Sequence, residues 1–287
     1  MRFSLLLLTT LMYSNMAISQ VDARLFRYPD VSYSQISFVY GGDVWIVPKT
    51  GGLATRLTTS TGEEAFPRFS PDGKTIAFTA TYRGNADVYT IPVGGGMPNR
   101  LTWHAMMDRV VDWHPDGKRI LFASPRENNV GGVNQLYLVS DKGGLPQKLP
   151  IPYGELASFS PDGDRLVYVT KITENYPFKR IRSGLASDVI LFDLKKGTAE
   201  NLTKSKATEG KPAWHKNKIY YVGDGDANMR RNIWSYDLST KQHKQLTKFD
   251  DIDVNHMSAG PEEIVFENAQ HDYPQRIRYW RNGKTLM

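Results

Sequence analysis

The chain has 287 residues, no cysteine, 40% hydrophobic residues and a formal net charge of +6. Without cysteine there is no disulfide framework and no Cys/His metal cluster. The basic excess gathers in a few loops (Lys179-Arg180-Ile181-Arg182, Arg230-Arg231, and a tail with Arg276, Arg278, Arg281 and Lys284) and falls in no nucleic-acid-binding module, so nucleic acid is not an expected partner.

The N-terminus opens on Met1-Arg2, a short basic start, followed by a largely apolar run from Phe3 through Met12. Ala17-Ile18-Ser19 then places small residues before Gln20. This is the pattern of a secretory signal peptide over residues 1–19, and it predicts export to a periplasm or beyond. The apolar run is too short to span a bilayer, and no later segment reaches the ~20 apolar residues a membrane helix needs.

From about residue 27 onward the sequence repeats. Ser70-Pro71-Asp72-Gly73, His114-Pro115-Asp116-Gly117 and Ser160-Pro161-Asp162-Gly163 each precede an apolar strand. The first inward apolar residues of six such strands are Ile36, Ile76, Ile120, Leu166, Ile219 and Ile264, which stand 40, 44, 46, 53 and 45 residues apart. A second strand follows each marker, as at Val44–Val47, Val88–Ile91, Leu136–Val139, Val189–Phe192 and Ile233–Tyr236; the sixth, Ile277–Trp280, is degraded. A third ends in Leu-Thr at Leu57-Thr58, Leu101-Thr102, Leu202-Thr203 and Leu246-Thr247, with Leu149-Pro150 and Leu286-Met287 as weaker versions.

A short strand before each Pro-Asp-Gly turn, such as Ala65–Phe69, makes four per unit. Four strands per 40–45 residues is the period of a propeller blade. One small twisted sheet cannot cover both its faces, whereas sheets packed around an axis bury them against neighbours. No stretch beyond the N-terminus has helical periodicity. The expected fold is therefore all-β: one six-bladed propeller of four-stranded blades over residues 27–287, with an irregular last blade.

Candidate chemistry is sparse. Ser70 and Ser160 share their repeat position with His114 and His215, so the position reads as turn support rather than as a nucleophile. Asp72, Asp116 and Asp162 recur in separate blades and would be spread around the disc. Asp224-Gly225-Asp226-Ala227-Asn228 begins like a calcium loop, but Met229 and Ser235 stand where the glycine and closing glutamate belong. Asn201-Leu202-Thr203 is a formal glycosylation sequon that coincides with the repeated Leu-Thr. No residue is assigned to catalysis, to a cofactor or to a metal. The longest insertion, residues 171–187, carries Tyr176, Phe178, Lys179, Arg180 and Arg182, an aromatic and basic set suited to contacting a partner.

Three phrases carry a family resemblance: Tyr28-Pro29-Asp30-Val31-Ser32, Ile36–Trp45 with its Gly41-Gly42-Asp43-Val44-Trp45 ending, and Phe66–Gly73. Together with Phe178–Gly184, their order resembles the N-terminal propeller of exported tricorn-protease homologues over about residues 27–268. The single phrases are shared with TolB-type propellers. In the tricorn family such a propeller precedes a larger propeller, a PDZ domain and a serine-peptidase core. The resemblance implies a gating or docking module that binds peptide or protein, a peptidase core among its partners, without catalytic residues of its own. After Asn268 the match weakens, and Gln270–Gln275 stands where a tight turn should lead into the sixth blade's next strand. The expectation is a propeller alone, with a truncated or a frameshifted member of the family as the two ways to reach it. The alternatives are a TolB-like periplasmic protein-binding module and a propeller of the prolyl-oligopeptidase class, which would need an α/β-hydrolase domain.

Overall fold

The computed structural model describes residues 25–128, 133–171, 186–270, 273–281 and 284–286, and no described residue is helical. The strands form six four-stranded antiparallel sheets, each built from consecutive strands. Blade 1 holds β1 (Arg27–Val31), β2 (Gln35–Tyr40), β3 (Asp43–Pro48) and β4 (Thr55–Arg56). Blade 2 holds β5 (Glu64–Phe69), β6 (Thr75–Ala80), β7 (Asp87–Pro92) and β8 (Asn99–Arg100). Blade 3 holds β9 (Arg109–Trp113), β10 (Arg119–Ser124), β11 (Gln135–Ser140) and β12 (Gln147–Lys148). Blade 4 holds β13 (Ala157–Phe159), β14 (Arg165–Tyr168), β15 (Ile190–Asp193) and β16 (Thr198–Asn201). Blade 5 holds β17 (Glu209–His215), β18 (Lys218–Gly223), β19 (Asn232–Asp237) and β20 (His243–Gln245). Blade 6 holds β21 (Asp253–Ala259), β22 (Ile264–Gln270), β23 (Tyr273–Arg281) and β24 (Lys284–Leu286).

The first strands pack on one another in order, β1 on β5, β5 on β9, β9 on β13, β13 on β17 and β17 on β21, and β21 packs back on β1. They line the axis, and the ring is closed by side-to-side packing, with no strand exchanged between blades 6 and 1 among the described residues. Blade 6 has its full set of strands. Its irregularity is a register shift between Asn268 and Ala269 on the β22–β23 pairing, where the other five blades are regular. Gln270 pairs with Tyr273 across the β22–β23 ladder.

The repeated turn is a hydrogen-bonded unit. Ser70 Oγ donates to Asp72 Oδ1 at 2.6 Å and accepts the Thr75 amide at 3.0 Å, while Asp72 Oδ1 accepts the Lys74 amide at 3.1 Å. Ser160 and Asp162 repeat the pattern around Asp164 and Arg165. These hydrogen bonds, the serine hydroxyl foremost, hold both Asp carboxyls below the usual range. Gly73, Gly117 and Gly163 take positive φ of 69°, 67° and 75°, the conformation the turn requires. The two histidines at the serine position also reach the next blade, and His114 Nδ1 still accepts the Asp116 amide of its own turn at 3.2 Å. The His114 ring meets Phe159 at 4.7 Å, and His215 Nδ1 lies 2.9 Å from the Gly260 carbonyl oxygen.

Leu-Thr is equally physical. The leucine is apolar packing, and the threonine ties the end of a blade to its third strand. Thr58, Thr102, Thr203 and Thr247 Oγ1 accept the amides of Val44, Val88, Val189 and Ile233 at 2.9, 3.0, 3.1 and 2.9 Å. Each hydroxyl donates onward to an acidic or amide side chain: Glu64, Asp87, Asp188 and Asn232. Asn201 of the sequon is part of this lattice, donating to Asp188 at 2.7 Å. The aspartates of the calcium-like loop act as turn acceptors: Asp226 takes the Arg230 amide and the Asn232 and Gln245 side chains, and Asp224 takes the Thr208 amide.

Five apolar clusters hold consecutive blades together, one at each interface from blades 1 and 2 through blades 5 and 6. The markers Ile76, Ile120, Leu166, Ile219 and Ile264 are all buried. This is where most folding free energy arises, at about 25 cal/mol per Å² of apolar surface removed from water.

Candidate functional site

The axis gathers polar and aromatic side chains from all six first strands. Register defines one ring of six: Asp30, Arg68, Asp112, Ser158, Ala213 and Ser258, each paired with the second residue after the turn on the next strand. Asp30 accepts the Phe69 amide at 2.6 Å and the Ser258 hydroxyl, and lies 3.8 Å from Arg68. Arg68 Nε donates to the Val111 carbonyl at 3.0 Å. Asp112 accepts the Trp113 amide at 2.8 Å.

One guanidinium therefore serves two carboxyls, Asp30 buried and Asp112 half-buried. Burial pushes the Asp112 carboxyl up to about 6; Arg68 opposes the rise and the Asp30 charge adds to it. Burial also raises Asp30, against Arg68 and the hydrogen bonds from Ser258 and Phe69.

One step along the axis the first strands bulge. Tyr28-Pro29, Phe66-Pro67 and Lys211-Pro212 each oppose a single residue of the next strand. Tyr28, Phe66 and Lys211 have φ of 54°, 53° and 54°, a left-handed conformation that non-glycine residues seldom adopt. Proline suits the position because a bulged residue gives up its ladder hydrogen bond. The bulges bring Tyr28 to 4.2 Å from Phe66 and 4.5 Å from His256, ring centroid to ring centroid, with the Arg109 guanidinium 5.4 Å from the Phe66 ring. A cavity of about 30 Å³ remains here, lined from five blades by residues including Phe66, Arg68, Lys211 and His256. That is room for about one water molecule.

This waist places cations, aromatic faces and carboxyl acceptors around a narrow axis. Among the described residues, no group of three or more His, Asp or Glu side chains is placed to hold a metal ion. The insertion residues Tyr176, Phe178, Lys179, Arg180 and Arg182 lie outside the described residues. Their segment joins β14 to β15.

The waist residues escaped sequence reasoning because they come from separate blades. One signal was available: an aromatic or long side chain before proline at the same phase of three repeats, Tyr28-Pro29, Phe66-Pro67 and Lys211-Pro212.

Comparison with known proteins agrees with the architecture. Residues 23–273 match the family described as the tricorn protease N-terminal beta propeller domain. A tricorn protease homolog of Saccharolobus solfataricus is 23% identical over 250 residues, covering 86% of this chain and 23% of that protein. The crystal structure of the tricorn protease superposes with a TM-score of 0.78 at 21% identity, over 92% of this chain and 26% of that one. TolB from Acinetobacter baumannii superposes with a TM-score of 0.59, also at 21% identity, over 77% of this chain and 53% of that one. The chain thus spans about a quarter of the length of its tricorn relatives. Over most of its own length, it belongs to the family of tricorn protease N-terminal beta propeller domains.

Proposed function

We propose that this chain is an exported docking and gating propeller of a tricorn-type peptidase, binding peptide or protein without performing chemistry itself. The waist carries the reading. Phe66, His256, Lys211 and Arg68 meet around a cavity of about 30 Å³, with Tyr28 packed against Phe66 and His256. A space of that size admits water and no peptide. An extended chain could dock on this cluster, and would pass only when the aromatic side chains swing aside. Arg68, Lys211 and Arg109 suit peptide carbonyls and a carboxylate end. The insertion residues Tyr176, Phe178, Lys179, Arg180 and Arg182 are proposed contacts for a larger partner.

The test is fluorescence anisotropy of the purified chain with labelled, end-blocked peptides and, separately, with a tricorn-family peptidase core. Binding at about 1–100 μM, weakened about tenfold by Phe66→Ala or Arg68→Ala, is the expected result. Capture of a folded protein with no response to either probe would replace this reading with the TolB-like one. No association with peptide or core would overturn it.

A further inference from the structure

Five first strands begin next to or on a buried acid: Glu64, Asp108, Glu155, Glu209 and Asp253, each at most 5% exposed. In four of them an oxygen has a strong partner that repeat grammar supplies. Glu64 accepts Thr58 Oγ1 at 2.8 Å and Tyr82 Oη at 2.6 Å, one at each oxygen. Asp108 pairs with Arg126 at 2.6 Å and Glu155 with Arg109 at 2.7 Å. Asp253 accepts the Arg231 amide at 3.0 Å.

Glu209 differs. Ser205 Oγ donates to Oε1 at 2.5 Å, but Oε2 is buried with no hydrogen-bond partner. The reason is one position. Counted from the strand markers Ile76 and Ile219, Tyr82 of blade 2 corresponds to Gly225 of blade 5. Where a phenol caps one oxygen of Glu64, the glycine at the same position offers Glu209 Oε2 no donor. A cavity of about 350 Å³ opens between blades 4 and 5, lined by residues including Ser205, Lys206, Glu209, Tyr221, Trp234 and His243; its counterpart in blade 2 is smaller, about 280 Å³, and has the Tyr82 ring in its wall. A second buried polar atom in its wall is also unpartnered, the Trp234 indole Nε1. Glu209 Cγ, Trp234 Cδ1 and Tyr221 Cε2 all lie 3.4 Å from one point, the site a Cβ would take on Gly223.

Buried polar atoms left unmet cost about 1–3 kcal/mol each in a folded protein, so two lying just behind the wall of one cavity point to a ligand toward which a small side-chain rotation brings them. The volume falls at the small end of ligand pockets. Glu209 Oε2 calls for a donor and the indole N–H for an acceptor. The faces of Trp234 and Tyr221 beside a carboxylate favour a cation. Lys206 at the rim favours an oxygen-rich group on the far side. From this we infer that the pocket between blades 4 and 5 binds a primary ammonium carried next to a carbonyl, the free α-amine end of a peptide or an amino acid. The ammonium sits on Glu209, the neighbouring carbonyl oxygen accepts from Trp234, and the remainder leaves past Lys206. This site lies off the axis and does not depend on the docking role of the waist.

The experiment is calorimetric titration of the whole chain with tri-alanine, N-acetyl-tri-alanine and free alanine. Tri-alanine should bind and acetylation should weaken it at least about tenfold, the loss of one charged hydrogen bond. Free alanine binding as tightly as the peptide assigns the site to amino acids; peptide binding alone assigns it to chain ends. Two variants report on the same pocket. Glu209→Gln removes the charge, and Gly225→Tyr restores the cap seen at Glu64, with its Cβ 3.5 Å from Ala207 Cβ, an ordinary contact. Both should weaken tri-alanine at least about tenfold. Equal affinity for the acetylated peptide, unchanged affinity in Gly225→Tyr, or no heat from tri-alanine at about 10 mM would overturn the inference. Peptide binding lost in Phe66→Ala but kept in Gly225→Tyr would leave the waist reading standing while this one falls.

Discussion

Asp30 on β1 accepts a hydrogen bond from Ser258 on β21, 228 residues away along the chain. Its other oxygen takes the Phe69 amide of blade 2 at 2.6 Å, so one carboxyl joins blades 6, 1 and 2. The rest of the seam is of the same kind. The Tyr28 amide donates to Glu267 at 3.1 Å, and Lys49 pairs with Glu263. The other five interfaces each have an apolar cluster, whereas at the seam between blades 6 and 1 these polar contacts join the packing of Tyr28 on His256 and of Val31 on Gly260. Asp30→Ala strips three buried partners at once and should lower stability by about 2–4 kcal/mol, against about 1 kcal/mol for Ser258→Ala. Urea unfolding at pH 7 checks this. Equal, small losses in both would mean that Asp30 does not lock the ring.

Gly260 reads the same seam by shape. A Cβ there would stand 2.5 Å from Val31 Cγ1 and 2.8 Å from the Val31 carbonyl oxygen. Backbone cannot yield as a flexible side chain can, so Gly260→Ala should push blade 6 off blade 1 and cost about 1–3 kcal/mol. Limited proteolysis should then cut first within blade 6. A variant as resistant as the parent would show that the seam tolerates slack.

Thr58→Val tests the Leu-Thr lattice at nearly constant volume. The hydroxyl joins the Val44 amide at 2.9 Å to Glu64 at 2.8 Å. Replacing it leaves a buried N–H without its acceptor and Glu64 with one donor fewer, about 1–3 kcal/mol in all. The drop in melting temperature should exceed that of Thr203→Val, whose onward bond to Asp188 is longer at 3.3 Å.

The fold was legible because a propeller writes its register into local sequence. Ser70-Pro71-Asp72-Gly73 encodes its own hydrogen bonds, and Thr58 lies 14 residues from the amide it caps. The waist was not legible for the complementary reason. Tyr28 and His256 meet at 4.5 Å from opposite ends of the chain, and nothing in either neighbourhood announces the other. The Glu209 pocket is subtler, since the position that holds Tyr82 in blade 2 and Arg126 in blade 3 varies from blade to blade and is Gly225 in blade 5. Only the comparison with Tyr82 shows what its absence leaves uncapped. The irregular end is a third case. Gln270 and Tyr273 read as a broken turn, yet they are partners across a hairpin, with the register shift one residue earlier along β22.

Glu209 also makes a prediction in pH. Burial, aided by the charges of Asp188 and Asp224, raises its carboxyl from 4.5 to about 7. The groups facing it are Ser205, Lys206, Tyr221 and His243, and burial holds His243 below its ordinary value. Below pH 4.5 the carboxyl is neutral both folded and unfolded and exerts no pH-dependent effect. Between 4.5 and about 7 the unfolded chain ionises first, so folded stability falls as pH rises; above about 7 the loss levels off. Glu209→Gln cannot ionise and escapes this loss. Its melting temperature relative to the parent should therefore climb between pH 4.5 and 7 and stay level above. Tri-alanine should blunt the climb in the parent, because a bound ammonium favours the ionised carboxyl and lowers its pKa again. A difference between parent and variant that stays flat across this window would mean that Glu209 ionises in the folded chain as freely as in water, and the uncapped pocket would then be open to solvent rather than waiting for a cation.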